Sequence, residues 1–252
     1  MATPTLHDVH IDGPLSNVSI AYRNENYIAD QVFPNLPVSK KSDKYFVFDR
    51  MSFFRNEVAE RGPGDEAEEA DYGITTASYN CSVRALAKVV ADEIRLNSDS
   101  PLRPELEAVE FLTDKMLLDR EVRVAALTTS GSGKWVYTAQ ASVAWTSDLS
   151  DPLGNMETMI NGIVSTIGRF PNTMVMSWDV WKSLRNHPDL LERIKYTRTD
   201  AIIRPSDFAQ WTGIPKVLIG TALYESAAEG GTSAPLYVWG DQVWCGYVPG
   251  GP

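Results

Sequence analysis

The sequence predicts an α+β fold, in which a mixed body of helices and strands carries a long polar arm. Three observations lead to this class. Apolar residues recur with a helical period for more than twenty positions from Pro104. Short helix-like and strand-like segments alternate between residues 151 and 248. A charge-segregated, β-prone stretch runs from Lys40 to Val90 and is too polar to belong to a core.

The N-terminal residues 1–39 are predicted to form an extended arm. Prolines and glycines interrupt them repeatedly, and they carry only short apolar groups, at Val18–Tyr22 and Tyr27–Phe33. Such a segment has too little apolar surface for a core of its own. We therefore expect it to lie on other surfaces.

Residues 40–92 are predicted to form an extended loop built as a β-ribbon. Tyr45–Asp49 and Cys81–Val89 have strand-like composition, and Gly62-Pro63-Gly64 breaks the chain near the tip. A two-stranded ribbon is marginal in water on its own. It therefore needs a surface to lie on, either its own body's or a neighbour's.

The charges on this loop are segregated. Residues 40–55 hold five basic and two acidic side chains, whereas residues 56–71 hold one basic and seven acidic ones. If copies pack side by side, the acidic segment of one meets the basic segment of the next. Exposed ion pairs contribute only about 0–1 kcal/mol each, but they fix register and partner choice. The residues predicted to make this contact are Lys40, Lys41, Lys44, Arg50, Arg55, Asp65, Glu66, Glu68, Glu69 and Asp71.

Residues 93–140 are predicted to be dominated by one long amphipathic helix. It begins at Pro104, a favourable first-turn proline, and its apolar positions continue to Leu127. Acidic side chains gather near its start and arginines near its end, as the helix dipole favours. We refer to this element as the spine helix.

Residues 141–252 are predicted to alternate between helices and strands. Gly168 and Ser177 suit helix capping. The predicted elements are helices at Asn155–Ile167, Trp178–Arg185 and Asp189–Lys195, strands at Thr173–Met176, Pro215–Gly220, Leu236–Trp239 and Gln242–Val248, and a flexible tip at Ser226–Ala234.

Composition excludes several functional classes. The net charge of −10 argues against sequence-independent wrapping of nucleic acid. The two cysteines, Cys81 and Cys245, are far apart, which favours reduced thiols and an intracellular origin. No signal peptide and no apolar run of membrane-spanning length is visible. We expect a soluble product that is synthesised in the cytoplasm and does not associate with a membrane.

No motif indicates catalysis, a cofactor or a metal. Ser130–Lys134 resembles a phosphate-binding loop, but Thr128 and Trp135 stand where that pattern needs glycine and a hydroxyl residue. His7 and His10 lie in the irregular N-terminus without a second ligand cluster. The acidic run at residues 65–71 lacks the ligand spacing of a calcium loop. We expect no cofactor and no metal.

Four segments, in this order, give the sequence a specific likeness to a known family. It resembles the major capsid proteins of tailed double-stranded DNA bacteriophages, whose shell fold is shared with encapsulins. None of these segments is a catalytic signature, so their joint order carries the resemblance. The segments are Tyr27–Arg50, Pro63–Arg95, Pro104–Leu127 and Pro171–Thr197.

The resemblance implies a domain plan and a set of partners. Residues 1–39 would be the N-terminal arm, 40–92 the extended loop, 93–140 the peripheral domain with the spine helix, and 141–252 the axial domain. Family members return to the peripheral domain through further strands after the point where this sequence stops, so either the chain continues beyond Pro252 or this member is unusually short. The implied partners are further copies in hexamers and pentamers, with scaffold, portal and decoration proteins as additional candidates. Packaged DNA would be enclosed without sequence-specific binding. The lysine–asparagine cross-link of some members is not carried over, because no partner is identifiable for Lys40, Lys41 or Lys44.

The function predicted from these observations is that of a self-assembling, non-enzymatic capsid subunit of an icosahedral phage head, located in the virion. An encapsulin-like compartment shell is the alternative within the same fold. A carboxylate-based hydrolase in the α+β body is the alternative from another class, and it would form a small particle with a pocket.

Overall fold

The computed structural model describes residues 27–98, 103–129, 135, 138, 141, 143–195, 202–228 and 230–250. Leu36–Ala85 forms one compact unit, and the other described residues form a second. The helices described are α1 (Ala29–Val32), α2 (Arg50–Phe54), α3 (Asp92–Asn97), α4 (Pro104–Thr129), α5 (Pro152–Ile167), α6 (Trp178–Arg185), α7 (Pro188–Lys195) and α8 (Pro205–Thr212). The strands are β1 (Ser42–Phe48), β2 (Ile74–Asn80), β3 (Thr173–Ser177), β4 (Lys216–Gly220), β5 (Leu223–Glu225), β6 (Pro235–Tyr237) and β7 (Val243–Gly246).

The smaller unit is an antiparallel ribbon of β1 and β2. Pairing runs from Ser42 opposite Asn80, where the chain enters and leaves, to Phe48 opposite Ile74 at the far end. The first predicted strand of the ribbon, Tyr45–Asp49, overlaps β1 and is confirmed as a strand. The predicted return strand, Cys81–Val89, is wrong, because β2 comes earlier and residues 81–91 contain no strand. A strand needs a paired partner as well as β-prone residues, and the last ribbon bond joins the Cys81 amide to the Lys41 carbonyl at 2.8 Å.

The extent of the predicted spine helix is confirmed as α4, but Leu127, predicted to end its apolar stripe, is 50% exposed. The helix starts at Pro104 with Glu105 and Glu107 in its first turn, where the dipole favours acids. Its buried stripe includes Val124, Ala125 and, unexpectedly, Glu121. The stripe packs against α1 and against part of the sheet described next.

A three-stranded sheet, in the order β4-β3-β7, forms the centre of the larger unit. β3 is parallel to β4 and antiparallel to β7. All five residues of β3 are buried, and alternate side chains point to opposite faces. Met174 and Met176 join one apolar cluster, whereas Val175 joins the other. The first cluster is formed by Met156, Ile160, Met174, Met176, Trp181, Leu184, Leu190, Ile194, Ile203, Phe208 and Ile214, and the second by Ile28, Ala29, Val32, Val124, Ala125, Val175 and Trp239.

Capping residues, of which Gly168 and Ser177 were predicted, explain where α5 and α6 begin and end. Asp151 accepts from the Gly154 amide at 2.9 Å, so α5 starts at Pro152 rather than at Asn155. Gly168 ends α5 with a φ of 66°, in the left-handed region that glycine adopts freely. Ser177 caps α6 as predicted. Helix α8 was not predicted, because its eight residues carry too short an apolar pattern.

The last strands agree with the predicted ones to within two or three residues. β4 and β7 fall inside the predicted ranges, and β6 starts one residue before the predicted Leu236. Residues between β5 and β6, predicted to be a flexible tip, are organised around Glu225, whose carboxylate accepts from the Ser233 hydroxyl and from the Ala227 and Ala234 amides. Within the described ranges, no helix combines the length and apolarity needed to cross a membrane.

Candidate assembly interface

The ribbon places its basic residues in two groups. Lys40 and Lys41 lie at the end where the chain enters, and Lys44 stands two positions into β1, opposite Ser78. Arg50 begins α2 at the far end, and Arg55 follows that helix. The six steps along β1 separate these two ends by about 20 Å. The five bases therefore do not form one patch.

Two of these bases already have acidic partners inside the ribbon. Lys40 Nζ lies 2.7 Å from Asp43 Oδ2, and this bond lowers the pKa of Asp43. Arg55 Nη1 lies 3.5 Å from Glu57 Oε1. For Lys41, Lys44 and Arg50, no ion pair is formed with any residue the structure describes. These three remain available to another molecule.

The predicted acidic residues lie together in the segment between α2 and β2. Asp65, Glu66, Glu68, Glu69 and Asp71 are all exposed, and residues 55–73 contain neither helix nor strand. A turn precedes the run, in which the Asp65 amide donates to the Gly62 carbonyl at 3.2 Å and Gly64 has a φ of 98°. The carboxylates of Glu66, Glu68 and Glu69 form no ion pair within the described ranges.

An aromatic cluster that the sequence analysis did not single out lies at the far end of the ribbon. The ring centroids of Phe48 and Phe53 are 6.2 Å apart, and that of Tyr72 lies 5.9 Å and 6.1 Å from them. Asp49 fixes the turn between β1 and α2, because its carboxylate accepts from the Met51 amide and the Ser52 hydroxyl; these bonds lower its pKa. The rings are exposed by 53%, 63% and 53%. Aromatic side chains at this spacing are typical anchors of protein interfaces.

The most informative property of the ribbon unit is its lack of buried residues. No residue from Leu36 to Ala85 is buried, although the unit contains an ordered seven-residue strand pair. Ordering a residue costs about 1–2 kcal/mol of backbone entropy. Burial is the main term that offsets this cost. The unit therefore lacks the apolar burial that normally stabilises an ordered segment of this length.

In the larger unit, Glu121 joins the N-terminal segment to the spine helix. Its side chain is fully buried and accepts from the Ile28 amide at 3.1 Å, the Ala29 amide at 2.8 Å and Trp239 Nε1 at 2.7 Å. The carboxylate thereby satisfies amide donors at the start of α1, which that short helix leaves unpaired. Glu121 thus fixes three separate parts of the chain around one side chain.

Further contacts hold the same N-terminal segment along α4. Tyr27 donates its hydroxyl proton to Asp114 at 3.0 Å. Arg120 pairs with Asp30 and donates to the Phe33 carbonyl at 3.3 Å. Residues 27–33 are therefore attached to the spine helix at several points.

One side-chain pair contains the residue types of a nucleophile and its base, although the hydrolase alternative considered above was carboxylate-based. Ser150 Oγ lies 3.0 Å from His187 Nε2, and Asp189 lies 4.0 Å from His187 Nδ1. Ser150 is buried and donates its own proton to the Ser147 carbonyl at 2.8 Å, so its oxygen accepts from Nε2–H. A catalytic base must instead accept the serine proton. The pair is therefore arranged as a structural hydrogen bond beside a cleft of about 430 Å³.

No group of three or more His, Cys, Asp or Glu side chains in the described ranges is arranged to hold a metal ion. His7, His10 and the Ser130–Lys134 loop, which the sequence analysis rejected as sites, lie outside the residues that the structure describes.

Comparison with known proteins identifies relatives along almost the whole chain. No family model matches the sequence. It is 28% identical over 244 residues to the major capsid protein of Burkholderia phage BcepMu, covering 95% of this chain and 76% of that protein. It is 27% identical over 233 residues to the major capsid protein of Pseudomonas phage JBD67, covering 91% of this chain and 74% of that one. The crystal structure of a phage-related protein from Bordetella bronchiseptica RB50 matches with a TM-score of 0.68 and 27% identity, over 96% of this chain and 78% of that one. The predicted resemblance to phage major capsid proteins is confirmed.

Proposed function

We propose that this homologue of phage major capsid proteins is itself a self-assembling shell subunit. The observation that carries the proposal is the similarity to two major capsid proteins over 91–95% of the chain. The finer features proposed are hexamers and pentamers that close an icosahedral head around double-stranded DNA, in a virion assembled in the host cytoplasm. The role is structural rather than enzymatic.

The ribbon supports a mechanism in which copies overlap. Because no residue of Leu36–Ala85 is buried, the surface that stabilises this unit would come from a neighbouring copy. Contacts of one surface with a different surface on the next copy are heterologous, so they close into rings when the rotation allows. Repetition around a ring makes individually weak contacts durable through avidity.

The charged residues of the ribbon supply the proposed register. The exposed acids Glu66, Glu68 and Glu69 of one copy would meet bases such as Lys41 and Lys44 of the next. Each pair contributes little by itself, but a shifted register would bring like charges together. We also propose the domain division at residues 39, 92 and 140, with the N-terminal arm, extended loop, peripheral domain and axial domain following in that order.

Electron microscopy of the purified protein tests the proposal. Shells, tubes or rings of capsomers are expected at sufficient protein concentration. A uniform particle of monomer size that persists across protein concentration, salt and pH would refute it. Genes for a portal protein and a terminase beside the coding sequence would favour a phage head, whereas a neighbouring peroxidase or ferritin-like gene would favour an encapsulin-like compartment.

A further inference from the structure

The imidazole of His187 lies where three parts of the larger unit meet. The residue follows α6 and directly precedes α7, and its side chain is 1% exposed. Its Nε2 lies 3.0 Å from Ser150 Oγ and 3.3 Å from the Ser147 carbonyl, both in the loop that leads into α5. Because a carbonyl oxygen can only accept, Nε2 carries the proton. In the neutral ring, Nδ1 is therefore a bare acceptor.

This second ring nitrogen has no donor within reach. No described residue forms a hydrogen bond with Nδ1, and the atom is closed off from solvent. The nearby group is the carboxylate of Asp189, whose Oδ2 lies 4.0 Å away on a side chain that is 58% exposed. Nδ1 and this carboxylate are both acceptors, so the two cannot bond with each other. A buried acceptor without a donor is costly, and one added proton on Nδ1 would supply the donor.

The charges around the ring bear on whether that proton binds. Asp148 from the loop and Asp179 and Lys182 from α6 line the cleft beside the ring, and Asp189 stands in the first turn of α7. Arg185, also on α6, is stacked on a neighbouring indole ring at 5.8 Å. Burial and the positive end of α7 oppose a cationic ring. The three acids, one of them at ion-pair distance from Nδ1, favour it.

From this arrangement we propose that His187 and Asp189 form a latch that closes when the imidazole takes up a proton. With a proton on each nitrogen, the ring donates to Asp189 on one side and to Ser147 and Ser150 on the other. The start of α7 is then tied to the loop before α5, and in the neutral ring the bond to α7 is missing. This inference concerns the folded chain itself and does not depend on the proposed function.

The sign of the pH dependence follows from the latch. An ordinary histidine changes its charge between about pH 5 and 8. The added bond exists only in the folded state, so folding and proton uptake favour each other. The latch therefore contributes stability at the acidic end of this range, and the contribution is lost as the pH rises.

Imidazole NMR tests where the proton binds. The chain has three histidines, and the His187→Gln variant identifies the signals of this one. At high pH the ring-nitrogen chemical shifts should place the proton on Nε2, and on acidification a second proton should add at Nδ1. A ring that stays neutral at every pH at which the chain is folded overturns the latch.

Removing the carboxylate tests the partner. Asp189→Asn should lower the proton affinity of His187 by about two- to fivefold, since an ion pair with one exposed member contributes up to about that change. Glu192→Gln removes another exposed acid from α7 and is the matched control, with an expected change of less than half that size. Equal proton affinities in these two variants would show that Asp189 is not the partner.

Urea unfolding of the unassembled protein measures the effect on stability. The urea midpoint of the wild-type protein should rise relative to that of His187→Gln as the pH falls through the histidine range, because glutamine cannot take up the proton. The other two histidines are present in both proteins and cancel in the comparison. A difference that is the same at acidic and alkaline pH contradicts the latch. If His187→Gln does not fold, Asp189→Asn takes its place, and the same constant difference from the wild-type protein would count against the latch.

Discussion

Replacing Glu121 by alanine should destabilise the larger unit more than any other single carboxylate change on the spine helix. The wild-type side chain accepts hydrogen bonds from three buried donors: the Ile28 amide, the Ala29 amide and Trp239 Nε1. A buried donor left without an acceptor costs about 1–3 kcal/mol. Three such donors give an expected loss of at least about 3 kcal/mol in the free energy of unfolding.

Urea unfolding of the unassembled protein, followed by tryptophan fluorescence and circular dichroism, measures this loss. Glu110→Ala removes an exposed carboxylate from the same helix and should change stability by less than about 0.5 kcal/mol. Trp239→Phe removes only one of the three donors and leaves two bonds to the carboxylate, so a smaller loss than for Glu121→Ala is expected.

Limited proteolysis distinguishes the local effect from a general one. If Glu121 attaches the N-terminal segment, Glu121→Ala should expose residues 27–33 to cleavage at urea concentrations where the rest of the chain is still folded. Equal stability of the Glu121→Ala and Glu110→Ala proteins, with the same cleavage pattern, would refute the role assigned to this carboxylate.

Three other changes have defined outcomes. Replacing Glu66, Glu68 and Glu69 together by lysine reverses the charge of the acidic segment. This variant should assemble less well at low salt, while the unfolding midpoint of the monomer stays unchanged. Normal shells with unchanged salt sensitivity would contradict the charge pairing. Burial raises the pKa of the Cys245 thiol to about 12, so at pH 8 a thiol reagent should label exposed Cys81 rapidly and Cys245 only on unfolding, with Cys81→Ser as the control. The thiol stays protonated in the folded state while the unfolded one ionises, so this residue reduces stability as pH rises above about 9. Gly220→Ala would place a methyl group closer to Trp239 Cδ1, Cγ and Nε1 than van der Waals contact allows, and a loss of more than about 1 kcal/mol in unfolding free energy is expected; an unchanged midpoint would show that Trp239 can move.

The parts of the fold that could be predicted are those set by local sequence. The spine helix follows from a repeated apolar period and from the charge distribution along it, both visible within one stretch of chain. The caps at Asp151, Gly168 and Ser177 depend on neighbours one turn away. In each case the interacting residues lie within a few positions of each other, so the local sequence pattern is enough to predict the structure.

The parts that were missed depend on distant partners. Glu121 belongs to the polar positions of the spine helix in sequence, and its partners lie 92, 93 and 118 residues away. The return strand of the ribbon was predicted from β-prone residues after Cys81, yet pairing with β1 selects Ile74–Asn80, whose composition is less distinctive. Strand pairing is a property of two segments, and one of them alone does not determine it.

The ribbon also changes how the candidate contact residues are understood. Sequence alone pointed to opposite charges, but Lys40 and Arg55 already pair with Asp43 and Glu57 in their own ribbon. Exposed pairs are weak and screened by salt, so they would set the register of an assembly more than its strength. The exposed rings at the far end offer the larger free energy, since burial of apolar surface contributes about 25 cal/mol per Å². Under the proposed function, a unit with no buried residue and an exposed aromatic cluster would form one half of an interface with a second copy of the chain.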